Sequence, residues 1–225
     1  MKEKKKKIII SISLACVLAA AGIAAYFADG DQKDNVFEIG EVSLDLTEKW
    51  TPGQIAVPGE TIPKEPSVKN DGINDEFIVL QVYIPKKNIE LANEDGTRAG
   101  KKETELFSFE TDPAWIQIGN GIDGKDPETG DICVIRTYAY GTSEHATVLN
   151  PGKTTTPLFK KIRYCNAIES DALTESVKNI NIEAYGIQTN DIPDPKTGAN
   201  TDRPDQLIKV IKNQRPETPV PKGLQ

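Results

Sequence analysis

Apolar residues recur at every second position in several stretches of this chain, which is the period of a β-strand with a buried face. The strongest of these stretches is 76–84, where both faces are apolar. We therefore predict a central strand that is covered on both sides. Pro85 predicts the end of this strand, because proline has no N–H to donate to a β-ladder. One face carries Ile78, Leu80, Val82 and Ile84, and the other carries Phe77, Val79 and Tyr83.

Six further stretches predict strands with shorter or less regular alternation. They are residues 36–46, 106–109, 115–118, 131–140, 156–164 and 180–188. Clusters of Gly, Pro, Asn and Asp between the strands predict turns, in which glycine supplies a positive φ. These clusters are 93–96, 121–124, 127–130 and 150–152. Many short strands separated by turns indicate an all-β fold, an antiparallel β-sandwich of the jelly-roll type.

Helical signals are few, and we expect one or two short helices. One is predicted at 170–178. The other is predicted at 202–212, where Asp202 is a suitable N-cap, Pro204 suits the first turn, and one face is apolar. That face consists of Leu207, Ile208 and Ile211. Residues 215–225 contain three prolines and few apolar side chains, so we predict a disordered C-terminal tail.

The first 25 residues have the three parts of a secretory signal. Five lysines occur within residues 2–7, no charge follows up to Ala25, and the stretch ends in alanine and glycine. We predict cleavage between Ala25 and Tyr26. The expected organisation is then a signal peptide (1–25), a flexible leader (26–35), a β-sandwich domain (36–190) and a C-terminal extension (191–225).

Two other interpretations of this N-terminus stay open. The uncharged stretch reaches Ala28, and its 21 residues are long enough to span a bilayer as an uncleaved anchor. Cys16 suggests a lipoprotein site. However, Ser13 stands where such sites usually have an aliphatic residue, so Cys16 is better explained as part of the apolar segment.

Charge argues against two classes of partner. The full chain has a net charge of −7, and removal of residues 1–25, with five lysines and one glutamate, leaves −11. An acidic chain is a poor candidate for binding nucleic acid or an anionic membrane. The membrane contact that we expect is therefore limited to the signal segment.

Motifs for catalysis or metal binding are absent from the sequence. The chain has one histidine, His145, so a two-histidine zinc site cannot form, and no HExxH, GxSxG or phosphate-binding loop occurs. The acidic loop 123–131 offers carboxylates for calcium, but Lys125 and Pro127 break the EF-hand pattern. A solvated hairpin loop explains it better. We predict no catalytic residue, no metal site and no cofactor.

Two cysteines remain after the signal, Cys133 and Cys165. In an exported protein they could form a disulfide, although a pair of free thiols fits the sequence nearly as well. We expect both to lie on β-strands, close enough to bridge.

Several segments resemble the TasA and camelysin family of bacterial exported proteins, whose signal is removed by a dedicated signal peptidase, SipW. The family pattern is an Ala-(Tyr/Phe) junction, a short polar stretch and an F-x-x-G-x-(V/L)-x-L-D-L strand. The most specific matches are 25–29, 36–40 and 44–47, and weaker ones are 57–64, 68–72, 155–159 and 183–188. The resemblance covers most of residues 1–190 in pattern, but only the first 50 or so are specific.

The resemblance implies a jelly-roll β-sandwich at the surface of a Gram-positive-type bacterium or in its biofilm matrix, where it assembles into fibres. Assembly in this family uses strand exchange between subunits, and the corresponding strand here carries Phe37, Ile39, Val42 and Leu44. Pairing of this strand within its own domain requires the same alternation and stays an alternative. Two other functions stay open, a camelysin-like metalloprotease and a surface-binding module.

Overall fold

The computed structural model describes residues 46–47, 57–168, 180–190, 192 and 200–224, all within one compact unit that spans 38–225. These residues form ten strands and one helix. The strands are β1 (Leu46–Thr47), β2 (Thr61–Pro63), β3 (Glu65–Pro66), β4 (Glu76–Ala92), β5 (Arg98–Glu105), β6 (Phe107–Phe109), β7 (Trp115–Lys125), β8 (Ile132–Tyr140), β9 (Lys161–Tyr164) and β10 (Asn181–Gln188). The helix is α1 (Pro204–Gln214).

All strand pairs among the described residues are antiparallel. The largest sheet has the order β10–β4–β8–β7, and β5 pairs with the second half of β4. A three-stranded sheet has the order β2–β9–β6, and β1 pairs with β3. The sheets curl into a half-barrel. This architecture confirms the prediction of an all-β antiparallel fold with a short helix.

The main hydrophobic core lies on one face of β4. Phe159 stacks on Phe109 with 4.2 Å between ring centroids. Trp115 is buried beside them, and its indole Nε1 donates a hydrogen bond to the carbonyl oxygen of Thr156 at 3.0 Å. From β4 the core receives the predicted inward residues Ile78, Leu80, Val82 and Ile84.

A second core lies on the opposite face of β4, where α1 covers the sheet. Phe77 and Val79 pack there with Tyr185 and Ile187 of β10. The helix contributes the three residues of its predicted apolar face, Leu207, Ile208 and Ile211, all fully buried. The prediction that β4 is covered on both faces is therefore confirmed.

The N-cap prediction for α1 is wrong. The N-cap is Arg203, which makes no side-chain cap hydrogen bond, and Pro204 occupies the first turn. The Asp202 side chain instead contacts His145, with 2.9 Å between Oδ2 and Nδ1. The aspartate side chain thus ties the helix entrance to the loop after β8.

Pro85 does not end β4, contrary to the sequence prediction. Pro85 is the last residue that pairs with β8, opposite Cys133, and Lys86 is the first that pairs with β5. The strand changes partner at the proline, so its missing N–H interrupts neither ladder. The Pro85 carbonyl still accepts a hydrogen bond from the backbone N–H of Leu106 at 2.9 Å.

The turn predicted at 121–124 is also wrong, because β7 runs through it. The pairing with β8 shifts between Ile118 and Ile122, which is a β-bulge. A Cβ on Gly121 would lie 2.8 Å from Val134 Cγ1, and one on Gly124 would lie 2.5 Å from Ile135 Cδ1. These glycines therefore admit side chains of the neighbouring strand and do not reverse the chain.

Strand β5 has no signal in the sequence, because residues 98–105 are all polar or small and the strand is largely exposed. The strand predicted at 156–164 is shorter and begins at Lys161. The turns predicted at 93–96, 127–130 and 150–152 are confirmed. The helix predicted at 170–178 lies outside the described residues.

The segment after α1 has no regular secondary structure, but it packs on the sheet instead of forming a disordered tail. Thr218 and Val220 are buried. The Gln81 side chain donates a hydrogen bond to the Pro219 carbonyl oxygen at 2.7 Å, and Lys222 forms an isolated bridge with Asn120 of β7. Proline restricts the unfolded chain, so a proline-rich segment can be held by few contacts.

Candidate functional site

A cluster of polar side chains interrupts the apolar face that α1 and the C-terminal segment cover. Gln81 of β4 lies directly opposite Glu183 of β10. Tyr83 and Tyr185 lie two residues farther along their strands, in opposite directions. Because side chains alternate between faces with a period of two, all four point to the same side of the sheet.

Both tyrosines donate to one carboxylate oxygen. Tyr83 Oη lies 2.6 Å and Tyr185 Oη 2.8 Å from Glu183 Oε2. Burial is the main cause that raises the pKa of each phenol, and the hydrogen bond to Glu183 raises it further. The phenols are therefore protonated at neutral pH and act as hydrogen-bond donors to Glu183.

Gln81 joins this cluster to the C-terminal segment. Its Nε2 donates to the Pro219 carbonyl oxygen at 2.7 Å and lies 3.3 Å from Thr137 Oγ1. Its Oε1 faces the two phenols, at 3.3 Å from each. Gln81 is fully buried, so each of these contacts replaces a hydrogen bond to water.

A cavity of about 200 Å³ opens above the carboxylate. Tyr83 and Tyr185 are buried at its base, while Arg215, Glu217 and Lys125 are exposed at its rim. The Arg215 guanidinium lies 5.6 Å from the centroid of the Tyr185 ring. The lining is completed by Pro127, Glu183, Thr218 and Pro219.

Sequence reasoning missed this cluster. The available signal was a glutamine within an otherwise apolar strand, and a glutamate at the centre of 180–188. Buried polar residues are satisfied or functional. The sequence predicted neither the register that pairs β4 with β10 nor the packing of the C-terminal segment over these residues.

The predicted export and assembly residues lie outside the described part of the chain. These residues are Ala25, Tyr26, Phe37, Ile39, Val42 and Leu44. Of the predicted strand 36–46, the structure describes Leu46, which with the following Thr47 pairs with Pro66 and Glu65 of β3.

The two cysteines are free thiols in separate environments. Cys133 lies on β8 and packs with Tyr83 and Ile135. Cys165 follows the last residue of β9 and packs against the main core. The structure thus shows no bridge between them, and one of the two lies just beyond a strand.

We expect thiol labelling to find both cysteines unpaired. Burial is the main cause that raises the pKa of Cys133 to about 11, and neighbouring Asp126 contributes. Its thiolate fraction at neutral pH is therefore small, and its reaction with a disulfide reagent should be slow. In the mature chain, denaturation without reductant should yield two reactive thiols and native protein fewer. If neither cysteine were labelled after denaturation, and both were labelled once reductant was added, a disulfide would be established.

The acidic loop is a hairpin whose carboxylates turn to separate partners. Asp123 pairs with Lys86 at 2.7 Å and Asp131 with Lys87 at 3.0 Å. Asp126 is buried, and its carboxylate accepts hydrogen bonds from the backbone N–H groups of residues 128 and 129. The Asn181 side-chain amide donates to both carboxylate oxygens at 2.8 Å. This carboxylate stabilises the turn and holds it to β10, an arrangement that needs no calcium.

The described residues contain no group of three or more His, Cys, Asp or Glu side chains that could hold a metal ion. His145 is exposed and contacts Asp202. A catalytic zinc site normally takes three protein ligands. These residues therefore do not fit a protease zinc site.

Comparison with known proteins finds a family match in the N-terminal part of the chain. Residues 1–102 match the family model of the camelysin metallo-endopeptidases. The match confirms the resemblance to the TasA- and camelysin-like family and supports an exported protein of this type. No curated protein and no solved structure matches the chain significantly. In the part of the chain that the structure describes, no helix has the length and apolarity needed to cross a bilayer.

Proposed function

We propose that this protein is an exported structural subunit of a surface fibre or biofilm matrix, in which subunits join by β-strand addition. The family match supports export, and the proposal includes removal of the signal by a SipW-type peptidase. The observation that carries the assembly step is the edge of the largest sheet at β10. This strand pairs on one side with β4 and has no pairing partner on its other side among the described residues.

The hydrogen-bond pattern shows which residues of β10 face that edge. The Thr189 N–H donates to the Asp75 carbonyl just beyond the ladder, so the odd-numbered residues of β10 bond to β4. Antiparallel ladders alternate, and the even-numbered residues therefore point their N–H and C=O groups away from β4. The Ile180 carbonyl oxygen also points away from β4, because it accepts a hydrogen bond from Lys64 Nζ at 3.2 Å. The groups available to an added strand belong to Ile182, Ala184, Gly186 and Gln188.

The other edges of the large sheet are protected. On β5, exposed charged side chains discourage strand pairing, among them Arg98, Lys101 and Lys102. The bulge of β7 is covered by the C-terminal segment, where a Cβ on Gly119 would lie 2.8 Å from Pro221 Cβ. Strand β10 carries neither device, since its one charged side chain, Glu183, is turned to the polar cluster.

The predicted donor strand ends close to this edge. Leu46 and Thr47 pair with β3, and Lys64, immediately before β3, bonds to Ile180 at the start of β10. In the proposed assembly, residues 36–45 add to the β10 edge of a neighbouring subunit, and pairing within their own domain is the alternative. Addition to a neighbour is a head-to-tail contact that does not close, and it propagates as a filament.

Electron microscopy of the purified chain that begins at Tyr26 tests this function. We expect filaments whose amount rises with protein concentration. The substitution Ala184→Pro removes an N–H that β4 does not use, so the folded subunit should persist while filaments disappear. Ala184→Val keeps the N–H and is the matched control. Equal filament formation by folded Ala184→Pro would exclude β10 as the acceptor edge.

A further inference from the structure

The cluster of Gln81, Tyr83, Glu183 and Tyr185 has fewer hydrogen atoms to donate than it has acceptors. Each phenol has one hydroxyl hydrogen. The two short contacts, at 2.6 and 2.8 Å, assign both hydrogens to Glu183 Oε2. The contacts from the same hydroxyls to Gln81 Oε1 are longer, at 3.3 Å. The amide oxygen of this buried glutamine therefore has only these two longer contacts, which share hydroxyl groups already used by Glu183.

Rotation of the amide does not remove this deficit. Exchange of the amide oxygen and nitrogen of Gln81 would bring its oxygen to 2.7 Å from the Pro219 carbonyl oxygen, where a donor is required. The C-terminal segment thus fixes the orientation of Gln81. A further donor must come from outside the cluster.

The charged side chains of the cavity also form no ion pairs with described residues. Glu183 forms no ion pair with a described residue, although its carboxylate is half-buried. Lys125 and Arg215 line the rim and likewise make no salt bridge within the described ranges. The cavity therefore presents a carboxylate at its base, and two cations and a second carboxylate, Glu217, at its opening.

We propose that this cavity binds a small zwitterionic amine of the amino-acid class. The ligand ammonium donates to the Glu183 carboxylate at the base, and the ligand carboxylate faces Lys125 and Arg215 at the rim. Once the ammonium occupies Glu183, one phenol is free to turn its hydrogen to Gln81, which completes the cluster. The site is independent of strand addition, because Glu183 faces the covered side of the sheet and not its edge.

The size of the cavity limits the ligand. Sites for drug-sized molecules enclose roughly 300–1,000 Å³, and this cavity has about 200 Å³. A molecule of about ten heavy atoms or fewer fits this volume. The unpaired carboxylate selects a cation over a neutral molecule of the same size, since a charge-assisted hydrogen bond is the stronger one.

Titration calorimetry of the full mature chain with three matched compounds tests the proposal. L-Alanine carries both charges, ethylamine lacks the carboxylate, and propionate lacks the ammonium. We expect saturable binding of L-alanine, at least tenfold weaker binding of ethylamine, and none of propionate. The absence of saturable L-alanine binding, or equal affinity for ethylamine, would overturn the proposal.

Two variants assign the binding to this cavity. Glu183→Gln preserves size and removes the charge, so L-alanine affinity should fall at least tenfold, whereas Glu144→Gln on an exposed loop should have no effect. Should Glu183→Gln fail to fold, the exposed pair Lys125→Gln and Arg215→Gln gives the second test. That double variant should lose the preference for L-alanine over ethylamine. An unchanged preference in the double variant, or full affinity in folded Glu183→Gln, would place the binding elsewhere.

Discussion

Replacement of Phe37 and Ile39 together by aspartate is expected to give a chain that is exported and folded but forms no filaments. In the proposed assembly these two side chains enter apolar pockets beside the acceptor edge and fix the register of the added strand. An unpaired carboxylate in a dry pocket costs at least about 2 kcal/mol, so two of them should prevent a contact that is repeated at every subunit. Electron microscopy and sedimentation of the purified chain measure the result.

The control for this variant adds the same charge without replacing an apolar residue. Asn35→Asp with Ser43→Asp also adds two negative charges, but not at the positions of Phe37 and Ile39. It should form filaments as the parent chain does. Filaments from the Phe37 and Ile39 variant would show that this strand is not the donor. Failure of that variant to fold would show that residues 36–46 belong to the core of their own domain.

The second large effect is expected in helix α1. Ile208→Ala should lower the free energy of unfolding by about 2–5 kcal/mol, the range for truncation of a fully buried large aliphatic residue. Ile208 is fully buried with Phe77 and Val79 of β4. Denaturation in urea, followed by circular dichroism, measures the change.

Asn213→Ala is the matched control within the same helix. Asn213 is exposed, and a substitution there should change the free energy of unfolding by less than about 0.5 kcal/mol. If residues 200–224 were detached from the sheet, Ile208→Ala would be as neutral as Asn213→Ala. The comparison therefore decides whether the C-terminal segment is part of the fold.

Assembly and ligand binding are separable by experiment. Ala184→Pro acts on the backbone at the edge of β10, while Glu183→Gln acts on a side chain turned to the covered face of the same strand. The first should abolish filaments, and the second should abolish L-alanine binding. A surface-binding function would be favoured if binding persisted in a chain that forms no filaments under any condition.

Local patterns in the sequence were sufficient for most strands and for α1. The alternation in 76–84 predicted both covered faces of β4, and the spacing of Leu207, Ile208 and Ile211 predicted the buried face of the helix. These predictions succeeded because burial of alternate or helically spaced residues leaves a signal that does not depend on the partner. The family resemblance at the N-terminus was equally local, and it was confirmed by the match over residues 1–102.

Where partners decide the outcome, the sequence prediction was wrong or silent. Glycines at 121 and 124 indicated a turn, but they make room for side chains of β8. Pro85 indicated a strand end, but the strand changes partner there without loss of a hydrogen bond. Strand β5 left no signal, because an exposed strand is stabilised by its backbone ladder with β4 and not by apolar side chains.

The sequence alone determined that this is an all-β protein with a signal-like N-terminus and a short amphipathic helix, since periodicity and composition are properties of neighbouring residues. Only the tertiary structure decided that the C-terminal segment packs on the sheet and that one carboxylate receives both tyrosine hydroxyls. It also decided that β10 has no second pairing partner among the described residues. Gln81 and Pro219 are 138 residues apart and 2.7 Å from donor to acceptor. A contact of this kind depends on how the sheets and the C-terminal segment pack together. The residue types at positions 81 and 219 do not by themselves predict that packing.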